Sequence, residues 1–186
     1  MANVKKNKKS TNNGFSQTKF LITVFVALFL GFLVYQASKT TATGSDGAVP
    51  GGDIPLATLD GGTITLNQFA GKILIVDFWA TWCPPCKMEI PGYIKLYNKY
   101  RDKGLEIIGV TLQSGTVQDV KAFVEEHGIN YPIVMGNNQI VQAYGGITGF
   151  PTTFIVDQKG RIVRKYVGFR PEAVFDEDIR TLLRAN

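Results

Sequence analysis

From residue 20 the apolar positions run sixteen residues without a charge, Phe20 to Tyr35, "FLITVFVALFLGFLVY". As a helix this run spans roughly 24 Å, a little short of a ~30 Å hydrocarbon core. Gln36 and Ala37 extend it, and Lys19 and Lys39 stand where they can snorkel to the two interfaces. Farther along, Lys72–Ala80, "KILIVDFWA", is a nearly continuous apolar run, the mark of a strand buried on both faces; Leu105–Leu112, "LEIIGVTL", is a second. Between them a helix is predicted to run to about Lys103, interrupted at Pro91 and capped by Gly104. Thr116–His127 carries Val117, Val120, Phe123 and Val124 on one face and ends at Gly128, which predicts an amphipathic helix with His127 as a cap. Ala57–Leu59 and Thr63–Thr65 flank Asp60-Gly61-Gly62 as a small hairpin, and Gln139–Tyr144 adds a short helix. Thr153–Val156 and Arg161–Val167 form a hairpin turned at Asp157–Gly160, and Pro171–Arg184 closes the chain as an amphipathic helix with Pro171 in its first turn. The order β-α-β-α, then β-β-α, predicts an α/β fold: one mixed sheet with helices on both faces.

Charge changes the reading of the first third of the chain. The formal net charge is +5, but six of the 20 basic residues precede the first acid, Asp46, leaving 14 against all 15 acids. The globular part is thus nearly neutral, and no nucleic-acid partner is expected. Residues 1–19 form a basic tail, 20–37 a transmembrane anchor, 38–52 a Ser/Thr/Gly-rich linker and 53–186 the globular domain. Five lysines before the apolar run place the N-terminus in the cytoplasm. A cleaved signal peptide, with Thr40-Thr41-Ala42 as its small-residue site, is the competing reading. A buried core helix would have nothing to pack against, and no cysteine follows the run to carry a lipid. Both surviving readings export the rest of the chain.

The only two cysteines stand two residues apart in "WATWCPPC". A structural zinc site needs four ligands, and the chain has one histidine and no third cysteine. Covalent haem attachment needs a histidine after the second cysteine, where Lys87 stands. A purely structural bridge over so short a loop constrains the unfolded chain little. What remains is a pair alternating between dithiol and disulfide, which suits an exported domain and requires neither cofactor nor metal. A strand delivering the pair to the sheet's C-terminal edge puts Cys83 at a helix N-terminus, where free N–H groups favour a thiolate. Cys83 is then the exposed attacking sulfur, and Cys86, one turn inside, the shielded resolving thiol. Pro84 and Pro85 fit the first helical turn and remove hydrogen-bond donors beside the sulfurs.

These residues carry a family resemblance. "VDFWATWCPPCKMEIP" followed by "GFPTTFIVDQKG" resembles the thioredoxin superfamily, in particular the membrane-tethered, extracytoplasmic branch typified by ResA and TlpA. The likeness covers about Val49 to Leu183. It implies a thioredoxin fold with an N-terminal β-hairpin extension and an α/β insertion over about 113–135. It further implies a single-pass protein of the bacterial cytoplasmic membrane with its catalytic domain outside. By the same resemblance Cys83 and Cys86 match the active dithiol, and Pro151 matches a cis-proline loop that aims the Phe150 backbone at a bound chain. Trp82 matches the tryptophan beside the nucleophile, and Phe150, Pro84 and Pro85 border the substrate. The plain alternatives are a turn proline at 151 and a surface aromatic at 82. Asp77, in an otherwise apolar strand, is either a carboxylate reaching solvent or a buried carboxyl of raised pKa that takes the proton of Cys86. Glu89 resembles an acid often found after the motif, and a first-turn acid at a helix N-terminus explains it as well. Pro84-Pro85 departs from the glutamate that ResA-like motifs often carry between the cysteines.

The resemblance implies a protein thiol–disulfide oxidoreductase working on exported proteins as a reductase. By the same resemblance apocytochrome c is an expected client and a membrane protein the expected electron donor. An oxidant or isomerase of disulfides is the alternative, disfavoured by the lack of a histidine between the cysteines; a non-catalytic redox sensor is another. A peroxidase is excluded, because Ala80 and Cys83 occupy the positions three residues before the two cysteines where Pro-x-x-x-Thr-x-x-Cys requires threonine.

Overall fold

The structure is a computed structural model that describes residues 28–29 and 48–185. The chain divides into two units, Met1–Gly44 and Ser45–Asn186, and the fold belongs to the second. Apart from Leu28 and Phe29, which are helical, the segment assigned to an anchor lies outside the described residues, as does most of the linker. Among the described residues no helix is long and apolar enough to cross a membrane.

Seven strands form one sheet: β1 (Leu56–Thr58), β2 (Thr63–Ile64), β3 (Ile73–Trp79), β4 (Leu105–Thr111), β5 (Ile133–Met135), β6 (Thr152–Val156) and β7 (Ile162–Val167). Their order is β2-β1-β5-β4-β3-β6-β7. β3 runs parallel to β4 and antiparallel to β6, and every residue of these three strands is buried. The continuous apolar runs are therefore what they promised, strands covered on both faces. Among the described residues from 48 onward, four α-helices accompany the sheet: α1 (Pro84–Tyr100), α2 (Val117–Glu126), α3 (Asn138–Ala143) and α4 (Glu172–Arg184).

The two-residue period of β3 sorts its side chains into two cores. Ile73, Ile75 and Trp79 join α1, α2 and α4 through Ile90, Tyr93, Leu96, Phe123, Phe175 and Ile179. Leu74, Val76 and Phe78 face the other way, against Leu56, Leu66, Ile140 and Tyr144. Asp77 sits in register with Ile75 and Trp79, so alternation turns the one carboxylate of β3 toward α1.

Several boundaries depart from the pattern-based expectation for physical reasons. Pro91 does not interrupt α1, which continues to Tyr100. Its ring removes one backbone bond, but Ile90, Tyr93, Leu96 and Tyr100 are buried, and packing holds the helix through it. A 3-10 turn, Arg101–Lys103, then ends at Gly104 with φ 94°, the left-handed stop expected there. The helix predicted from Thr116 has Thr116 as its N-cap in a capping box with Asp119, and His127 as its C-cap. Pro171 likewise lies outside α4, as its extended N-cap. Two elements were not anticipated as such: the 3-10 turn Leu66–Phe69, and β5, three residues confined between Pro132 and Gly136. β5 pairs parallel with β4 and antiparallel with β1, and so docks the N-terminal hairpin on the sheet. The domain also begins before residue 53, since Val49 is buried and its N–H donates to Asn67 Oδ1 at 3.2 Å.

Gly109 marks the closest approach in the sheet interior. A Cβ there would lie 2.9 Å from Trp79 Nε1 and would strike Ile133 Cδ1. Gly109→Ala should therefore lower stability by about 1–3 kcal/mol, read from the denaturant midpoint; an unchanged midpoint would show that the site yields freely.

Candidate active site

β3 is buried to its last residue, so its chain leaves the sheet edge at Ala80 and turns at once into α1. Two contacts shape the turn: Leu112 N–H donates to Trp79 O at 2.9 Å, and Thr81 N–H donates to Ser114 Oγ at 3.1 Å. Cys83 is the N-cap of α1, with extended backbone, and the Cys86 N–H points at Cys83 Sγ at 3.3 Å. Pro84 and Pro85 occupy the first two helical positions, where no N–H is missed. One turn brings Cys86 under Cys83, and the two sulfurs are bonded at 2.12 Å with Cα atoms 5.3 Å apart.

Cys83 was expected as an exposed sulfur. It is instead buried, 3% exposed, because the bridge turns its sulfur under the helix end. Its access is a groove of about 410 Å³ lined by Trp82, Cys83, Pro84, Pro85, Gln113 and the loop Ile147–Phe150. Trp82 is 57% exposed, meets Phe150 edge to face at 5.8 Å and donates from Nε1 to Gln113 O at 2.8 Å. Gln113 holds a left-handed φ of 50°, a conformation that costs a non-glycine residue energy. The Phe150–Pro151 peptide bond is cis. Of the residues singled out by sequence, Trp82, Cys83, Pro84, Pro85 and Phe150 line this groove. Gln113 and Ser114 were not anticipated, and nothing in their local pattern marks them.

Asp77 is elsewhere, inside the core on the α1 side. It is 4% exposed, which excludes a carboxylate reaching solvent, and its Oδ1 accepts from Thr153 Oγ1 at 3.1 Å. Burial pushes its pKa well above the usual carboxylate range, the nearby Glu89 charge adds to the rise, and the Thr153 bond opposes it. Glu89 is not a first-turn acid, since it lies beyond the first turn of α1 and is 3% exposed. Its Oε2 accepts from Tyr93 OH at 3.2 Å and its Oε1 from Arg170 N–H at 2.6 Å. Burial raises its pKa to about 7 against the opposing pull of the Arg170 and Tyr93 bonds. Tyr93 OH in turn lies 3.0 Å from Thr153 Oγ1. Tyr93 and Thr153 were passed over in the sequence, although Tyr93 follows Glu89 at helical spacing and Thr153 lies in the quoted Phe-Pro-Thr-Thr stretch. His127 caps α2, with Nδ1 3.0 Å from Phe123 O and its ring stacked on Phe123 at 3.8 Å.

Residues 48–165 match the AhpC/TSA family. The chain belongs to that family. Within it, it is a thioredoxin-fold protein thiol–disulfide oxidoreductase. It is 33% identical over 160 residues to the thiol-disulfide oxidoreductase ResA of Halalkalibacterium halodurans, covering 84% of this chain and 88% of that one. ResA of Bacillus subtilis is 30% identical over 167 residues, covering 88% and 89%. Among solved structures, a thioredoxin-family thiol:disulfide interchange protein from Chlorobium tepidum TLS superposes with a TM-score of 0.67 at 33% identity, over 73% of this chain and 97% of that one. Membership in the AhpC/TSA family adds no third thiol here, since both cysteines are in the bridge.

The two raised carboxyls give stability a definite dependence on pH. Folded, Glu89 keeps its proton to about 7, whereas the unfolded chain releases it near 4.5. In that window the unfolded state binds fewer protons, so stability is full below about 4.5 and falls as pH rises through about 7; Asp77 acts in the same direction. Denaturant midpoints should fall across this window, and Glu89→Gln should flatten the decline. Equal slopes in the two proteins would contradict the assignment.

Proposed function

We propose that this chain is a membrane-tethered reductase of disulfides in exported proteins, with Cys83 as nucleophile and Cys86 as resolving thiol. The observation that carries the reading is a disulfide capping α1 at the floor of a groove walled by Trp82 and Phe150. In the reduced protein the Cys83 thiolate attacks a client disulfide, forming a mixed disulfide and releasing one client thiolate. Cys86 then attacks Cys83 Sγ, its proton passing to Asp77. The intramolecular bridge closes, and the second client sulfur leaves, so two electrons have moved to the client. Trp82 and Phe150 hold the client chain, with the Phe150 backbone presented by the cis Pro151 loop. Pro84 and Pro85 shape the same wall.

The charge-free run after a lysine-rich start supports an anchor over 20–37 in a bacterial cytoplasmic membrane, with the domain on the extracytoplasmic side. The relatives' printed name, thiol-disulfide oxidoreductase, supports exchange chemistry at this pair, and reduction is the direction we propose for it. Apocytochrome c, whose cysteines must be reduced before haem attachment, is the proposed client, and a membrane thiol carrier the proposed donor.

Cys86→Ser, expressed in cells as the full chain, should accumulate defined mixed disulfides through Cys83; recovery of none would overturn the exchange mechanism. The Cys83–Cys86 couple should be reducing, and a potential near about −120 mV, that of a strong oxidant, would reverse the proposed direction. Asp77→Asn should slow resolution of the mixed disulfide by about 10²-fold at neutral pH, followed in stopped flow; an unchanged rate would remove Asp77 from the proton path.

A further inference from the structure

Four side chains form an unbroken line through the core on the α1 side of the sheet. Asp77 Oδ1 meets Thr153 Oγ1 at 3.1 Å, Thr153 Oγ1 meets Tyr93 OH at 3.0 Å, and Tyr93 OH meets Glu89 Oε2 at 3.2 Å. All four groups lie in the interior: Asp77 is 4% exposed, Glu89 3%, and Tyr93 and Thr153 1% each. The far end is fixed by Arg170 N–H on Glu89 Oε1, a contact at the less buried rim of the line.

The line has a proton count. It contains three oxygen–oxygen contacts, and each needs one hydrogen between its oxygens. Thr153 and Tyr93 supply one hydroxyl hydrogen each. With both carboxyls ionised the line is one hydrogen short, and two buried oxygens face each other with lone pairs alone. With one carboxyl protonated every contact is satisfied, in either of two ways. The proton sits on Glu89 and the hydroxyls point toward Asp77, or it sits on Asp77 and they point toward Glu89. Burial makes an unsatisfied contact expensive, so the singly protonated line is the favoured state.

We infer that Asp77, Thr153, Tyr93 and Glu89 form a relay that shares one proton between its two carboxyl ends and carries it across the core. Interconversion of its two forms breaks three O–H bonds and makes three. Asp77 gives its proton to Thr153, Thr153 gives its own to Tyr93, and Tyr93 gives its own to Glu89, so one proton moves and none is gained or lost. The relay rests on the proposed role of Asp77 only for its purpose: a proton received from Cys86 at Asp77 passes along the line to Glu89, at the end held by the Arg170 N–H, without a mobile water. Thr153 and Tyr93 are positioning residues here, because neither touches the reacting sulfurs.

Tyr131 and Arg170 also face the line. Tyr131, from the segment before β5, lies near both carboxyls and has its own pKa raised well above the usual tyrosine value by burial, then by the Asp77 and Glu89 charges. Arg170, from the loop before α4, favours ionised Glu89 through its backbone N–H and its charge. The directions agree with the count: both carboxyls are raised by burial, and Asp77 is raised further by Glu89.

Charge repulsion alone would also couple Asp77 to Glu89, and a mutant cycle separates the two causes. The Asp77 carboxyl is titrated by carbon-13 NMR in the reduced full chain, with four proteins compared: wild type, Glu89→Gln, Tyr93→Phe and the double variant. In Glu89→Gln the amide N–H supplies the missing hydrogen to Tyr93, so the Asp77 midpoint falls. In the Tyr93→Phe background the hydrogen cannot be passed on, and the fall caused by Glu89→Gln should shrink by at least half. A fall of the same size with and without the Tyr93 hydroxyl would overturn the relay, because a neutral hydroxyl does not carry charge repulsion. Thr153→Val, which cuts the line at its other hydroxyl, provides the same comparison should Tyr93→Phe perturb folding. The cycle reads proton affinity and not exchange rate, so the relay stands or falls apart from the assignment of Asp77 as proton acceptor for Cys86.

Discussion

The site depends on one junction, where a strand buried along its whole length hands the chain to a helix. β3 has no exposed residue, so the chain turns at the sheet edge, where α1 begins with two prolines and its first N–H, that of Cys86, points at Cys83 Sγ. Cys83 occupies the one position where a sulfur can accept from that helix end while still bounding a groove open to solvent. A helix N-terminus favours negative charge, and with prolines in the first two positions the Cys86 N–H is the first helical donor facing the Cys83 sulfur. The bridge, the groove and the aromatic wall all follow from where this junction lies.

The same strand creates the second feature of the site. Alternation along β3 requires residue 77 to share a face with Ile75 and Trp79, and a carboxyl there cannot reach water. It is retained by partners instead: Thr153, directly opposite on β6, and through it Tyr93 and Glu89 of α1. Such an arrangement penalises ionisation of both carboxyls. The disulfide borders the groove and the raised carboxyls lie in the core, and β3 with α1 belongs to both.

Much of this was legible in the chain. "KILIVDFWA" and "LEIIGVTL" declared doubly covered strands because a nearly continuous apolar run has no solvent face, whereas Asp77 stayed open between a carboxylate reaching solvent and a buried carboxyl until its partners were placed. The spacing of Cys83 and Cys86, ahead of a helix and after a buried strand, declared the chemistry. Other features were hidden for identifiable reasons. β5 is three residues long between Pro132 and Gly136, too short for a period, and its existence depends on β1 and β4 lying on either side. Pro91 reads as a breaker by local propensity, yet the buried face of α1 overrides it. Glu89 read equally well as the acid found after such motifs or as a first-turn acid, because its contact with the Arg170 backbone forms only once the loop before α4 is in place. The left-handed Gln113 that receives Trp82 leaves no trace in composition.

The central claim is that the end of α1 turns Cys83 into an acidified sulfur ready for exchange. Its most direct test is the ionisation midpoint of Cys83 in the reduced chain, followed by thiolate absorbance against pH with Cys86→Ser separating the two sulfurs. The account predicts a midpoint clearly below the ~8.5 of an ordinary cysteine, rising toward that value when the helix end is disrupted. A Cys83 that ionises like a free thiol in solution would contradict it.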